Sequence, residues 1–107
     1  MVVNQYDVVL VNLDPTVGSE IKKTRPCVII SPGEMNRQVN TVVVAPMTST
    51  SKLYPSRVQV QSGERTGWVI LDQIRTVDRQ RIRKLLGKLA QKEIDEIKKI
   101  IRELYVD

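Results

Sequence analysis

The sequence predicts a mainly β fold with one C-terminal helix. Short runs rich in Val, Ile and Thr, separated by Gly, Pro, Asp and Ser, fill the first three quarters of the chain. The last quarter switches to apolar residues spaced three and four apart. Phenylalanine is absent and Trp68 is the only tryptophan, so the core must be built from Val, Ile and Leu. Five to seven short strands within 107 residues must curl into a small barrel or stay open and strongly twisted. The expected organisation is one domain over 1–107, with a barrel at about 4–90 and a helix at about 91–105.

Taken in order, "YDVVLVNL" (6–13) is β-branched and ends at the Asp14-Pro15 turn signal. "TVGSEIKKT" (16–24) is polar, carries Gly18 and predicts a mobile loop. "PCVIIS" (26–31) predicts a strand with Pro26 at its first position, where no ladder N–H is required. "PGEMNR" (32–37) predicts a turn with room for one helical turn. "TVVVAPM" (41–47) predicts a central strand covered on both faces, with a bulge or an end at Pro46. A hydroxyl-rich loop, "TSTSKLYPS" (48–56), follows, and "RVQVQ" (57–61) alternates as a half-exposed strand does. "SGERTG" (62–67) is a turn, and "WVILDQIRTV" (68–77) makes one or two strands around Asp72-Gln73. "RIRKLLGKLA" (81–90) favours a short strand. In "QKEIDEIKKIIREL" (91–104), Ile94, Ile97, Ile100, Ile101 and Leu104 form one apolar helical stripe.

The formal charge of +5 favours anionic partners: nucleic acid, an acidic protein segment or, less readily, a membrane surface. A basic but inert surface would give the same number. There is no histidine and one cysteine, which excludes an ordinary zinc site and Cys–His catalysis. Cys27 lies within "CVII" and is expected to be a buried structural thiol. The carboxylates show no calcium-loop spacing, although a magnesium-type pair formed in three dimensions stays open. Phosphate-binding glycine patterns are absent. No cofactor and no metal are expected. "MVVNQYDVVL" does not read as a signal peptide, and no apolar run approaches the ~20 residues of a bilayer span. The expectation is a cytoplasmic protein without a membrane partner.

Two basic clusters stand out. Lys22, Lys23 and Arg25 precede an apolar strand, so the stem of Arg25 can pack while its guanidinium is aimed. An ion pair of Arg25 with Asp72 or Glu20 is the structural alternative. The second cluster is Arg75, Arg79, Arg81, Arg83, Lys84 and Lys88, either an RNA contact or a solvated face. Thr48, Ser49, Thr50 and Ser51 follow a buried-looking strand, where hydroxyls can donate to phosphate or simply make a turn.

"NLDPTVGSE", "TRPCVIISP", "VVVAPMTS", "SKLYP", "SGERTG" and "LDQIRTVD" occur here in the order and spacing of the MazF/PemK (Kid) toxins. The chain resembles that family over roughly residues 4 to 90. The elements are jointly specific and singly weak. The resemblance implies an SH3-like barrel of the MazF/Kid/CcdB type, a homodimer, and an endoribonuclease that cuts single-stranded RNA within short motifs, usually without a metal. It implies Arg25 and Thr48 as the catalytic pair, and a loop from Gly18 to Thr24 lying over the RNA groove. It also implies an antitoxin whose acidic, flexible tail occupies that groove. Substrate-binding positions expected around it are Ser19, Glu20, Lys22, Lys23, Thr24, Ser49, Lys52, Tyr54, Asp72 and Gln73. Some members carry a histidine where Ser19 stands and an arginine where Ile70 stands. Schemes that need those side chains cannot operate here, which shifts the load onto Arg25.

The implied chemistry is attack of a 2′-hydroxyl on the adjacent phosphorus, giving a 2′,3′-cyclic phosphate and a 5′-hydroxyl. Arg25 suits the charge that develops on the phosphoryl oxygens, since its fork stays protonated and one well-aimed donor is worth ~3–4 kcal/mol. A guanidinium holds its proton at neutral pH, which makes it a poor base. Asp72, Glu20 or a water is left to take the 2′-proton. Two other classes compete: a non-catalytic toxin of the CcdB type acting on a protein, and an RNA-binding barrel without activity. The ending "ELYVD" has no tryptophan, which argues against the first.

Overall fold

The computed structural model describes residues 2–50, 53–62 and 65–107. Seven strands form in chain order: β1 (Asp7–Asn12), β2 (Thr24–Ile29), β3 (Thr41–Thr48), β4 (Arg57–Ser62), β5 (Arg65–Ile70), β6 (Arg75–Asp78) and β7 (Ile82–Lys88). A short helix, α1 (Gly33–Gln38), precedes β3, and α2 (Gln91–Ile101) follows β7, ending in a wider turn over Arg102–Val106. The sheet is antiparallel in the order β4-β5-β3-β2-β1-β7, with β6 also paired to β3. The expected mainly β barrel with a terminal helix is what the chain adopts, and "RIRKLLGKLA" supplies a strand.

The strand β3 organises the molecule. It pairs with β6 through Thr41–Val44, with β2 through Val44–Pro46 and with β5 through Met47–Thr48. The strand covers the expected 41–47 and runs through Pro46 without ending there. Pro46 has no N–H to donate, so it weakens the ladder only locally. Opposite Ala45–Pro46, the chain leaves the ladder between β5 and β6 as a 3-10 turn, Leu71–Gln73. The turn throws Asp72 and Gln73 out towards the β1–β2 loop.

Alternation along β1, β2 and β3 feeds two apolar layers. Val8, Val28, Ala45 and Met47 join Val58, Val60 and Val69 beneath α2, which contributes Ile97 and Ile100. Val9, Val11, Cys27, Ile29, Val42 and Val44 join Val77 and Ile82 on the other side. Both faces of the central strands are buried, as the nearly unbroken apolar runs require. Glu93 fastens α2, its carboxylate accepting from the N–H of Ala90 at 2.9 Å and of Gln61 on β4 at 2.6 Å. No helix among the described residues is long and apolar enough to cross a membrane.

One boundary moves in a way that matters. Thr24 and Arg25 belong to β2, paired with Asn12 and Val11, and are not part of a loop. Pro26 is therefore the third strand residue, opposite Leu10.

Candidate active site

The β1–β2 connection, expected to be mobile, is tied at its neck, tip and flank. At the neck, Leu13 N–H donates to the Lys23 carbonyl and Lys23 N–H to Asp14 Oδ1, both at 3.0 Å. Lys23 takes a left-handed conformation there (φ 72°). At the tip, Glu20 N–H donates to Val17 O at 3.2 Å, and Glu20 Oε1 accepts from Val17 N–H at 2.6 Å. Gly18 supplies the φ of 57° that this tight tip requires. On the flank, Gln73 Oε1 accepts from Ile21 N–H at 2.7 Å across 52 residues of sequence.

Two clefts lie on either side of the outer end of β3. The first, about 410 Å³, brings together Arg25 and Pro26 of β2, Thr48 and Ser49 at the end of β3, Thr66 of β5 and Leu86 of β7. The second, about 420 Å³, brings together Ser19 and Glu20 of the loop, Pro46, and Asp72, Gln73 and Arg75. The site residues expected from sequence thus divide between two neighbouring depressions. Lys22, Lys23 and Thr24 are exposed on the approach to Arg25. Lys52 lies outside the described residues, as does Ser51.

Arg25 is half-buried, and its Nε donates to Lys22 O at 2.9 Å. Among the described residues it has no ion-pair partner, and its two terminal amino groups are unengaged. The ion pair weighed for it goes elsewhere. Asp72 Oδ1 accepts from Ser56 Oγ at 2.8 Å and from Arg57 Nε at 3.4 Å, and Glu20 caps its own loop. Continuing the β2–β3 register two residues beyond Cys27↔Pro46 places Arg25 across from Thr48. The Thr48 hydroxyl accepts from Thr50 N–H at 3.4 Å, which leaves its own proton for an external acceptor. Close approach of β5 to this corner depends on Gly67. A Cβ there would stand 3.3 Å from Met47 Cε and 3.6 Å from Thr48 O.

Partial burial works to raise the pKa of Asp72, but bonds from Ser56, Arg57 and its own backbone, with the Arg57 charge, hold it below its ordinary value. It is therefore a poor proton acceptor at neutral pH. Cys27 is wholly buried and burial pushes its thiol up to about 12, against the smaller opposing effects of Arg75 and Arg25. No group of three or more metal-ligating side chains occurs among the described residues.

The ring of Tyr54 carries the Arg57 guanidinium at 4.7 Å from its centroid, so one of its faces is taken by its own neighbourhood. The second basic cluster divides in use. Arg75 Nη1 donates to Leu13 O at 3.1 Å, and Arg81 Nη1 donates to Asn12 O at 3.2 Å and to Asp14 O, all at the base of the β1–β2 loop. Arg83, Lys84 and Lys88 are exposed on β7. Sequence reasoning missed Pro26, Met47, Thr66 and Leu86 as lining of the Arg25 cleft. No local motif marks them; only strand pairing brings them there.

A small basic β-barrel with an unpaired guanidinium and hydroxyls around one cleft is a protein built to handle an anionic ligand. A family model described as PemK-like, MazF-like toxin of type II toxin–antitoxin system matches residues 4–105. The chain belongs to that family. It is 35% identical over 99 residues to the endoribonuclease toxin MazF of Escherichia coli (strain K12), covering 92% of this chain and 89% of that one. It is 34% identical over 104 residues to the endoribonuclease EndoA of Bacillus subtilis (strain 168), covering 91% and 89%. Its fold superposes on crystalline MazF (Form-I) from Deinococcus radiodurans with a TM-score of 0.88 and 26% identity, over 97% of this chain and 96% of that one. A MazE–MazF crystal structure from the same organism matches at a TM-score of 0.81 and 22% identity, over 99% and 97%, a likeness of fold.

Proposed function

We propose that this chain is the endoribonuclease toxin of a toxin–antitoxin pair and cuts single-stranded RNA at the Arg25 cleft. The observation that carries this reading is the state of Arg25. It is anchored through Nε, unpaired at its terminal amino groups, and shares a cleft with Thr48 and Ser49. A guanidinium held in that way presents a preorganised two-donor fork to a phosphodiester. Named relatives that are endoribonucleases, similar along nearly their whole length, support the same reaction class.

In the proposed reaction the substrate 2′-oxygen loses its proton and bonds to the adjacent phosphorus. The bond from phosphorus to the 5′-oxygen breaks, and that oxygen takes a proton. The products are a 2′,3′-cyclic phosphate and a 5′-hydroxyl. Arg25 stabilises the charge building on the phosphoryl oxygens. The leaving oxygen takes a proton through water from the terminal amino groups of Arg25, and solvent then returns a proton to the guanidinium. Thr48 donates its free hydroxyl hydrogen to a phosphoryl oxygen. No carboxylate is among the described lining of this cleft, and Asp72 is held ionised by Ser56 and Arg57. Solvent is accordingly the acceptor assigned to the 2′-proton. The reaction as written uses no metal.

The exposed Lys22 and Lys23 supply salt-sensitive attraction to the RNA backbone. The second cleft, beside Ser19 and Glu20, offers a neighbouring place for a base. The remaining partners belong to the same proposal: a homodimer, for which exposed Leu85 and Leu86 on the edge strand β7 give an apolar face, and an antitoxin with an acidic tail that competes for the basic cleft. Action in the cytoplasm belongs to the same proposal.

The test is incubation of the purified protein with a long single-stranded RNA in EDTA, followed by mapping of the ends. Discrete cuts with cyclic-phosphate and 5′-hydroxyl ends are expected. Binding without cuts would leave an inactive RNA-binding barrel, and neither binding nor cuts would point to a toxin acting on a protein.

A further inference from the structure

We infer that Gln73 is a positioning residue for Arg25, acting from the second cleft through the backbone of the β1–β2 loop. This inference rests on the assignment of Arg25 as the phosphate-binding catalytic group. Gln73 stands on the 3-10 turn that leaves the ladder opposite Pro46, and it is half-buried. Its side-chain carbonyl accepts from Ile21 N–H at 2.7 Å, a strong bond for a neutral pair. The next residue, Lys22, gives its carbonyl to Arg25 Nε at 2.9 Å. The two contacts lie on adjacent residues of a single strip of backbone, one reaching into each cleft.

The loop is also fastened on either side of that strip: the Ile21 side chain packs against the core, and Lys23 N–H, on the same peptide as the Lys22 carbonyl, donates to Asp14 Oδ1 at 3.0 Å. Its tip is closed on itself by Val17 and Glu20, and its neck by Leu13, Asp14 and Lys23. Between tip and neck, Gln73 and Arg25 are the described side chains that hydrogen-bond the loop backbone, one from each cleft. Without the Gln73 contact, the Glu20–Ile21 peptide loses its partner, the backbone at Lys22 is hydrogen-bonded to its surroundings on the Asp14 side alone, and the Lys22 carbonyl sets the plane of the guanidinium less firmly. The fork then loses its fixed aim while the charge and the cleft remain. Gln73 therefore serves the chemical step, not the capture of RNA, even though its residue type and cleft suggest a base contact.

Two variants separate the roles. Gln73→Leu removes the acceptor at similar volume, and Gln73→Glu keeps an oxygen acceptor in the same place. Single-turnover cleavage of a single-stranded RNA is measured for both, alongside wild type and Arg25→Ala. Misaim of a catalytic group by a fraction of an ångström to an ångström costs on the order of tenfold to a hundredfold, so Gln73→Leu is expected to lower kcat by at least about tenfold with KM changed less than about twofold. Gln73→Glu is expected to recover most of that loss. A raised KM with unchanged kcat would show Gln73 contacting substrate and would overturn the inference, as would equal impairment of both variants.

A second readout needs no activity. The Arg25 Nε–H resonance in a nitrogen–proton spectrum, identified by its loss in Arg25→Ala, is expected to exchange slowly in wild type and Gln73→Glu and rapidly in Gln73→Leu. Unchanged exchange in a folded Gln73→Leu protein would overturn the inference. Wild type that leaves RNA uncut while showing the expected exchange pattern would instead sink the nuclease reading and leave the positioning contact standing.

Discussion

The guanidinium Nε of Arg25 donates to the backbone carbonyl of Lys22, three residues earlier, at 2.9 Å. This bond orients the side chain without neutralising it, because a carbonyl is a dipole and not a counter-charge. A carboxylate in the same place would have pulled the fork out of service.

Replacing Arg25 therefore tests both charge and shape. Arg25→Ala is expected to lower the cleavage rate by about a hundredfold to a thousandfold, the usual effect of losing one aimed donor group. Arg25→Lys keeps the charge but not the fork, and is expected to recover little of the loss. RNA binding by both variants, measured by filter retention, should fall far less than the rate. A Lys variant cutting at the wild-type rate would show that charge alone suffices.

Thr48 is expected to act through its hydroxyl. Thr48→Ser keeps the donor and should stay within about threefold of wild type, while Thr48→Val should lose about tenfold or more, as befits one neutral hydrogen bond to a charged oxygen. Cleavage time courses on the same RNA decide the matter. Equal rates for the Ser and Val variants would remove Thr48 from the chemistry.

Asp72 makes a prediction about stability and pH. Its folded-state pKa lies below the ordinary 3.8, because the bonds from Ser56 and Arg57 outweigh partial burial. A depressed carboxyl contributes stability that is fully present above its ordinary pKa and is lost as pH falls through the folded value. Asp72→Asn should thus be slightly less stable than wild type at pH 7, and the gap should close below pH 3.8. The carboxylate is 39% exposed, so solvent screening keeps the difference under about 1 kcal/mol. Urea titrations at several pH values give the readout. A gap that widens on acidification would contradict the assignment.

Cys27 is expected to be inert in the folded protein. It has no exposed surface and its thiol is raised to about 12, so little thiolate exists at pH 8. A thiol-disulfide reagent such as dithionitrobenzoate should report no reactive thiol in buffer and one per chain in denaturant. Prompt reaction under native conditions would show that β2 opens.

Much of the fold was written in local pattern. The alternation of "RVQVQ" puts Val58 and Val60 inward with Gln59 and Gln61 exposed, and the spacing of Ile97 and Ile100 gives α2 its buried stripe. Boundaries at proline were harder to read. Pro26 looks like a strand limit because it removes an N–H, yet it lies within β2, whose pairing on either side carries the ladder past it. Arg25 was consequently expected on a loop and stands on β2.

By itself the sequence determined the inventory: a basic chain without imidazole, an arginine before a buried strand, and hydroxyls after another. These are properties of single residues and near neighbours, which local pattern and charge report directly. Tertiary structure alone decided which groups meet. Arg57, not Arg25, takes Asp72, and Gln73 reaches Ile21 across 52 residues. Such contacts depend on strand register and on where β3 changes partners, and those follow from packing the whole barrel at once.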